Sequence, residues 1–452
     1  MTANDTRNEA LKMLKEVLLS GRFISDVAKD AALPEKGASA LDQRFILNLV
    51  RGTAERKTIL EAVLGKLVKT STGKMKPLMR LILLQSLYEL LFTNGKPYAV
   101  VNEYVLLAKR RGFQGLSGFA NAVLRRAANE KETLLQSLGD EESSGLPEKV
   151  LEILSSYAGR ENALRFGHFV MSDASKALTV RRNVSKCSEE VFLESLRLEK
   201  CEAFRQETGL LRRADNEDAL PQDEIYVLRA EKPIVHLETF RKGFFYVQDI
   251  SAWSVFRTLS PVLRPETAVL DLCAAPGGKT FHLMDMAARK DICVRFTACD
   301  VSENRLSRLR ENAERMGFTD LTVRKNDATE FRPEFADAFD LVIADVPCSG
   351  LGDLAGKPEI RFHVTDEELL QLSDIQKKIL SRAASYVRPG GILQYSTCTL
   401  TDTENEGQIR RFLEEHPEYR LLEEKRLIPG VNTDGDGFYA ARMRRGETKE
   451  AL

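Results

Sequence analysis

The stretch VLDLCAAPGGKT, residues 269–280, constrains this chain more than any other: an apolar run ends in a small-residue turn and passes straight into helix-forming FHLMDMAARK. That order reads as strand, glycine loop, helix, and it brings backbone N–H groups and a helix N-terminus against a ligand. The run is not G-x-G-x-x-G. The phosphate-cradling pattern G-x-x-x-x-G-K-[ST] fits at Gly278, Lys279 and Thr280 but has Cys273 where its first glycine belongs. Asp300, 22 residues beyond Gly278 at the end of the apolar run CVRFTAC, stands near the spacing of a ribose-binding carboxylate. A nucleoside without phosphates satisfies both observations, and S-adenosylmethionine is such a ligand.

From residue 266 to 400 the segments AVLDLC, CVRFTACD, LTVRKND, DLVIADVP and GILQYSTC are strand-like, with helical SENRLSRLRENAERMGF and ELLQLSDIQKKILSRAASYV between them. Such alternation with apolar strands predicts a doubly wound, mostly parallel α/β sheet. Ligands of these sheets sit beyond the carboxyl ends of the strands. The residues just past those ends are Cys273 to Lys279, Asp300, Asn326–Asp327, Asp345 to Cys348 and Ser396 to Cys398, and they are expected to converge on one crevice. Two of these points carry cysteines in matching contexts, Pro347–Cys348 and Thr397–Cys398. A free cysteine is most often a small buried hydrophobe. Two at neighbouring strand ends, one beside Asp345 and both near a nucleoside site, tilt the balance toward chemistry.

Residues 5–135 read as helices, with Leu11, Leu14, Val17 and Leu18, and later Leu83, Leu87, Leu90 and Leu91, at helical spacing and almost no strand pattern. An all-α bundle over 1–140 is expected, followed by a linker at DEESSGLP (140–147). A small mixed unit over 146–235 comes next, with strand-like ALTVRRNVS, GLLRRA and DEIYVLRA, and then the 236–448 domain that holds the glycine loop. Residues 1–130 carry 21 Lys and Arg against 12 Asp and Glu, a net +9 in a chain whose total is −1. A charge surplus of this kind suits RNA as well as it suits an ordinary solvated helix face. The seven cysteines form no C-x-x-C pair and have no histidine at ligand spacing, which argues against zinc and against a disulfide framework. No apolar run approaches the roughly 18 residues of a membrane span, so the expectation is a cytoplasmic protein without membrane or metal.

LDLCAAPGGKT, ACD, ND at 326–327, ADVPCSGLG, the QKKIL helix, YSTCTL, ENE at 404–406 and DGFYAARM together resemble the RNA cytosine-5 methyltransferases of the NOL/NOP/Sun family, over roughly residues 240–445. Ahead of them, LDQRFILNLVRGT, PYAVVNEYVLLAKRRG and FANAVLRR are similar to the NusB-like RNA-binding domain. The combination resembles the Sun-type branch of that family, and it implies methylation of a cytosine in small-subunit (16S) ribosomal RNA before or during subunit assembly, by a monomer. It also implies a class I methyltransferase fold with S-adenosylmethionine as cofactor. The implied cofactor site is Cys273, Ala274, Ala275, Pro276, Gly277, Gly278 and Lys279, with Asp300 on the ribose, Asp327 on the adenine amine, and Asp345.

Cytosine C5 is too weak a nucleophile to take a methyl group directly, so a thiolate first adds at C6. By the resemblance Cys398 is that nucleophile and Cys348 assists product release; the reverse would follow the DNA cytosine methyltransferases, whose nucleophile lies in a PC motif. Asp345 then takes the N3/N4 edge of the base, and Lys279 orients the base or polarises the thiol. Asp300 and Asp327 also admit a reading as helix N-caps, and Lys279 as a mere neutraliser of carboxylates. The chain departs from the family pattern at Ala355 and Gly356, where two basic residues are usual, and at Gln394, in a strand position usually apolar. Two other readings compete: a different RNA such as tRNA as substrate, and a P-loop NTPase, which leaves Cys398 without a role.

Overall fold

The computed structural model describes residues 1–69, 71–205 and 225–447. The chain forms two compact units, one made of residues 1–172 together with 354–364, the other of 173–353 together with 365–452. The first is helical. Its helices start where sequence chemistry starts them: Thr2 and Ser39 close capping boxes with Asp5 and Asp42 ahead of Ala3–Ser20 and Ala40–Glu55, and prolines open Pro77–Phe92 and Pro97–Arg110. Pro77–Phe92 is buried on nearly every side, which its run of leucines requires, and it forms the centre of the bundle. Its one carboxylate, Glu89, is buried with Arg7 and accepts from the Tyr104 hydroxyl at 3.0 Å.

The polar run read as a linker is helix Asp140–Ser143 followed by a turn in which Ser144 and Leu146 are buried. The turn polarity satisfies local backbone, with the Ser144 hydroxyl donating to the Glu141 carbonyl at 2.6 Å, and the helical unit continues through Glu148–Ala158 and Arg160–Met171. The excursion 354–364 belongs to this unit as well. Arg361, 2% exposed, donates to the carbonyls of Glu55 and Gly145 at 3.0 Å each, and to those of Pro358 and Leu354 at 3.0 and 3.3 Å. Glu359 accepts from the Ile24 N–H at 2.8 Å. The Arg51 guanidinium donates to the Ala355 carbonyl at 2.6 Å, so a basic group from elsewhere in the chain lies at the position where Ala355 departs from the family pattern.

The second unit holds two sheets. Strands β1 (Leu178–Arg182), β2 (Glu202–Arg205), β3 (Ile225–Arg229) and β4 (Phe245–Val247) make an antiparallel sheet in the order β2-β3-β1-β4. The expected strand GLLRRA lies outside the described residues. The large sheet comprises β5 (Ala268–Asp271), β6 (Arg295–Asp300), β7 (Leu321–Lys325), β8 (Phe339–Asp345), β9 (Val387–Thr397), β10 (Tyr419–Leu427) and β11 (Phe438–Arg445) in the order β10-β11-β9-β8-β5-β6-β7. β5 to β9 are parallel and β10 and β11 antiparallel. Val269, Leu341 and Ile343 pack on one face with helices Gly278–Arg289 and Glu303–Met316; Leu270, Val342 and Leu393 pack on the other with Asp366–Tyr386 and Glu406–Glu415. Burial on both faces is why these strands read as unbroken apolar runs. Gln394, on β9, accepts from Arg442 of β11 at 3.2 Å and donates to the Ala441 carbonyl at 3.4 Å, which accounts for a polar residue in that strand. The small sheet is tied to helix Gly278–Arg289, which packs on the large sheet, by a buried ion pair of Arg181 and Asp285, 2.6 Å apart, with Gln248 accepting from the same guanidinium.

Candidate active site

The parallel strands end side by side: the Ala274 N–H donates to the Cys299 carbonyl at 2.8 Å, Leu272 to Ile343 at 3.0 Å, Asn326 to Asp300 at 3.1 Å and Val346 to Ser396 at 3.1 Å, which brings the five expected segments together. Lys279, in the first turn of Gly278–Arg289, reaches across to β8 and places Nζ 2.5 Å from Asp345 Oδ2. Ser396, at the end of β9, donates to Asp345 Oδ1 at 2.7 Å. Gly277 turns the loop at φ +112°, and a Cβ there would run into the Phe281 ring, so glycine is required on both grounds. Asp271, which the sequence reading passed over within LDL, fastens this loop: it accepts from the Thr280 hydroxyl at 2.6 Å and from the Cys273 N–H at 3.4 Å. Burial pushes its carboxyl up to about 7. The neighbouring Cys273 is pushed well above its usual range by burial and by Asp271, so it lines the loop as a neutral thiol.

Asp300 is buried at the end of β6. Its Oδ1 accepts from the Ser302 N–H at 3.0 Å. Its Oδ2 lies 3.2 Å from the Arg305 guanidinium but receives no hydrogen bond. A second Arg305 nitrogen donates to the Ala275 carbonyl at 2.5 Å and so links the glycine loop to this carboxylate, a contact with no signal in the sequence beyond an arginine on a helix. Asp327 is exposed and accepts from the Thr329 N–H and hydroxyl at 2.9 and 2.7 Å, which pull its carboxyl below the ordinary range. It caps a local turn with one oxygen rather than a helix.

Cys348 and Cys398 are both free and partly exposed, with their sulfurs 3.4 Å apart. The loop after β8 is locked to the end of β9: the Gly352 N–H donates to the Cys398 carbonyl at 3.0 Å, and the Gly437 N–H to the Gly352 carbonyl at 2.9 Å. A Cβ on Gly352 would lie 2.2 Å from the Gly437 carbonyl oxygen, so this approach of three backbone segments needs the glycines. The two thiols are not equivalent. The shared S–H hydrogen bond pulls Cys398 below a thiol's usual value, aided by Lys279, while the same bond and burial push Cys348 well above it. Lys279 itself stays charged, because Asp345 outweighs the burial that would lower it.

A family model described as 16S rRNA methyltransferase RsmB/F matches residues 258–444, and one for the NusB family matches residues 4–129. The probable ribosomal RNA small subunit methyltransferase B of Synechocystis is 33% identical over 93% of this chain and 95% of its own length. This chain belongs to the RsmB/F family of 16S rRNA methyltransferases. The ribosomal RNA small subunit methyltransferase B of Erwinia tasmaniensis is 30% identical over 96% of this chain and 97% of its own. Among solved structures, the crystal structure of PH0851 superposes with a TM-score of 0.73 at 22% identity, covering 97% of this RsmB/F member and 98% of that chain. NSun6 from Pyrococcus horikoshii gives 0.53 at 21% identity over 66% and 98%. These likenesses extend the shared fold to both halves of the chain. Among the described residues no helix is long and apolar enough to cross a membrane.

Proposed function

We propose that this chain methylates C5 of a cytosine in 16S ribosomal RNA, with S-adenosylmethionine as methyl donor and Cys398 as covalent nucleophile. The observation that carries this reading is the pair of strand-end thiols 3.4 Å apart beside the Lys279–Asp345 pair. The cofactor fits the residues: Asp300 Oδ2, 3.2 Å from the Arg305 guanidinium, is a buried acceptor that receives no hydrogen bond among the described residues, one that the ribose hydroxyls would supply, and the Gly277–Gly278 turn lets backbone approach a ligand closely. Asp327 would take the adenine amine.

The chain's own groups account for each step. Cys398 adds to C6 as thiolate, and the C5=C6 electron pair moves to C5. Asp345, held by Lys279 and Ser396, faces the base edge, where it accepts from the N4 amine and stabilises the proton that N3 gains on addition. S-adenosylmethionine, when bound, supplies the methyl group that the enriched C5 takes. A base then takes the C5 proton, the C5–H electron pair rebuilds C5=C6, and the Cys398 sulfur leaves C6 as thiolate with Cys348 next to it. Cys398→Ala should abolish methyl transfer and form no RNA adduct, whereas Cys348→Ala should methylate and then stay joined to RNA through Cys398 on a denaturing gel. Bisulfite sequencing of 16S rRNA and tRNA incubated with the protein and cofactor names the substrate. Methylation of tRNA alone would favour the other RNA, and methylation retained in both variants without adduct would refute the covalent route.

A further inference from the structure

The ENE run at 404–406 carries the family resemblance, yet the chemistry above assigns it nothing. Glu404 is fully buried and its two carboxylate oxygens accept four hydrogen bonds. Oε1 accepts from the Ser349 N–H at 2.8 Å and from Gln376 at 3.0 Å; Oε2 accepts from the Ser349 hydroxyl at 2.6 Å and from the Thr401 hydroxyl at 2.9 Å. Ser349 follows Cys348 directly and Thr401 lies three residues past Cys398, so one carboxylate grips both cysteine loops. Gln376 extends the grip by donating also to the Pro347 carbonyl at 2.9 Å, on the other side of Cys348. The Ser349 and Thr399 hydroxyls close a direct bond between the loops at 2.7 Å. The Tyr395 hydroxyl donates to the Glu404 carbonyl at 2.6 Å, and Asn405 wraps the same turn, accepting from Thr397 at 2.6 Å and donating to the Thr399 carbonyl at 3.0 Å.

We infer that Glu404 is a positioning residue that sets the approach of Cys348 to Cys398, and that it thereby governs release of methylated RNA. The functional half of this inference rests on the covalent reading above; the geometric half does not. Three of the four bonds hold residues flanking Cys348 directly or through Gln376, against one on the Cys398 side, so loss of the carboxylate should loosen the Cys348 loop first. A buried charge-accepting group of this kind also fixes a single loop arrangement where hydrophobic packing would tolerate several.

The test has two arms. In the first, purified wild type, Glu404→Gln and Glu404→Ala are oxidised with diamide, which takes two electrons and two protons from a thiol pair, and the Cys348–Cys398 disulfide is followed by peptide mass mapping. Wild type should cross-link rapidly, Glu404→Ala at least tenfold more slowly, and Glu404→Gln, which keeps one acceptor oxygen, in between. An unchanged rate in Glu404→Ala overturns the positioning role. In the second arm, Glu404→Ala with RNA and cofactor should accumulate the same adduct as Cys348→Ala, with cofactor affinity within twofold of wild type, and adding it to Cys348→Ala should not increase the adduct further. Slow cross-linking together with no adduct in Cys348→Ala would leave the positioning role standing and sink the covalent reading. Equal losses of cofactor affinity and of single-turnover methylation in Glu404→Ala would make Glu404 a general fold residue and overturn the inference.

Discussion

Replacing Arg361 by Met should unfold the helical unit at a markedly lower temperature while leaving cofactor binding in the other unit intact. The guanidinium is buried, and burial pushes it down to about 10, but among the described residues no carboxylate is bonded to it; its protons go to the carbonyls of Glu55, Gly145, Leu354 and Pro358. Glu55 ends helix Ala40–Glu55, so the charge also sits at the negative end of that helix. Methionine fills much of the same volume but leaves four carbonyls without their donor. Each hydrogen bond to a charged group is worth about 1.5–3 kcal/mol, and the relief of desolvation on removing the charge offsets several kcal/mol of the total. Four such bonds sum to about 6–12 kcal/mol, and with the desolvation relief set against them the net cost should be about 3–5 kcal/mol. At about 2–4 °C per kcal/mol for a unit of about 180 residues, the helical transition should fall by about 6–20 °C. Differential scanning calorimetry measures that transition, and calorimetric titration with S-adenosylmethionine measures the rest. Arg361→Lys, which keeps the charge but not the fork of donors, should fall between the two. A shift below 2 °C in Arg361→Met would refute the argument that these four carbonyls depend on the guanidinium.

Asp300→Ala should weaken S-adenosylmethionine binding by about 10- to 150-fold, the loss of one charge-assisted bond of about 1.5–3 kcal/mol; unchanged affinity by titration would reject Asp300 as the ribose ligand. Single-turnover methylation should rise with pH and level off, because thiolate is the reactive form, with its midpoint below a thiol's usual 9 since Cys398 is lowered by its bond from Cys348 and by Lys279. Lys279→Met should move that midpoint upward, and a pH profile that stayed in place would remove Lys279 from activation of the thiol. Lys109 and Arg125 are exposed on the helical unit, and their joint replacement by Ala should flatten the slope of log RNA affinity against log salt by about 1.4–1.8. An identical slope would make that face an ordinary solvated surface.

The central parallel strands were legible because burial on both faces leaves apolar runs such as LVIA (341–344) with no polar alternation to confuse them. β10 was not. YRLLEEKRL is an edge strand whose charged residues face solvent or form ion pairs, as Lys425 does with Glu423 and Arg426 with Glu406, and it has no strand period to read. The cysteines were legible as strand-end residues, and so was their candidacy for chemistry. Their 3.4 Å separation was not, since it depends on β8 and β9 being neighbours and on Glu404 holding both loops.

What the chain determines locally is therefore the helical bundle, the strand, glycine-loop and helix order, and the set of groups at the strand ends, because periodicity, capping and turn chemistry act over a few residues. What only the tertiary structure decided is which distant groups satisfy one another. Residues 354–364 follow the PC motif in sequence yet are packed in the helical unit, where Arg361 meets carbonyls some 200 and 300 residues earlier in the chain. Glu404 likewise finds its donors on Ser349 and Gln376. A buried charged group must be hydrogen-bonded wherever the fold brings partners, and the identity of those partners leaves no periodic trace along the chain.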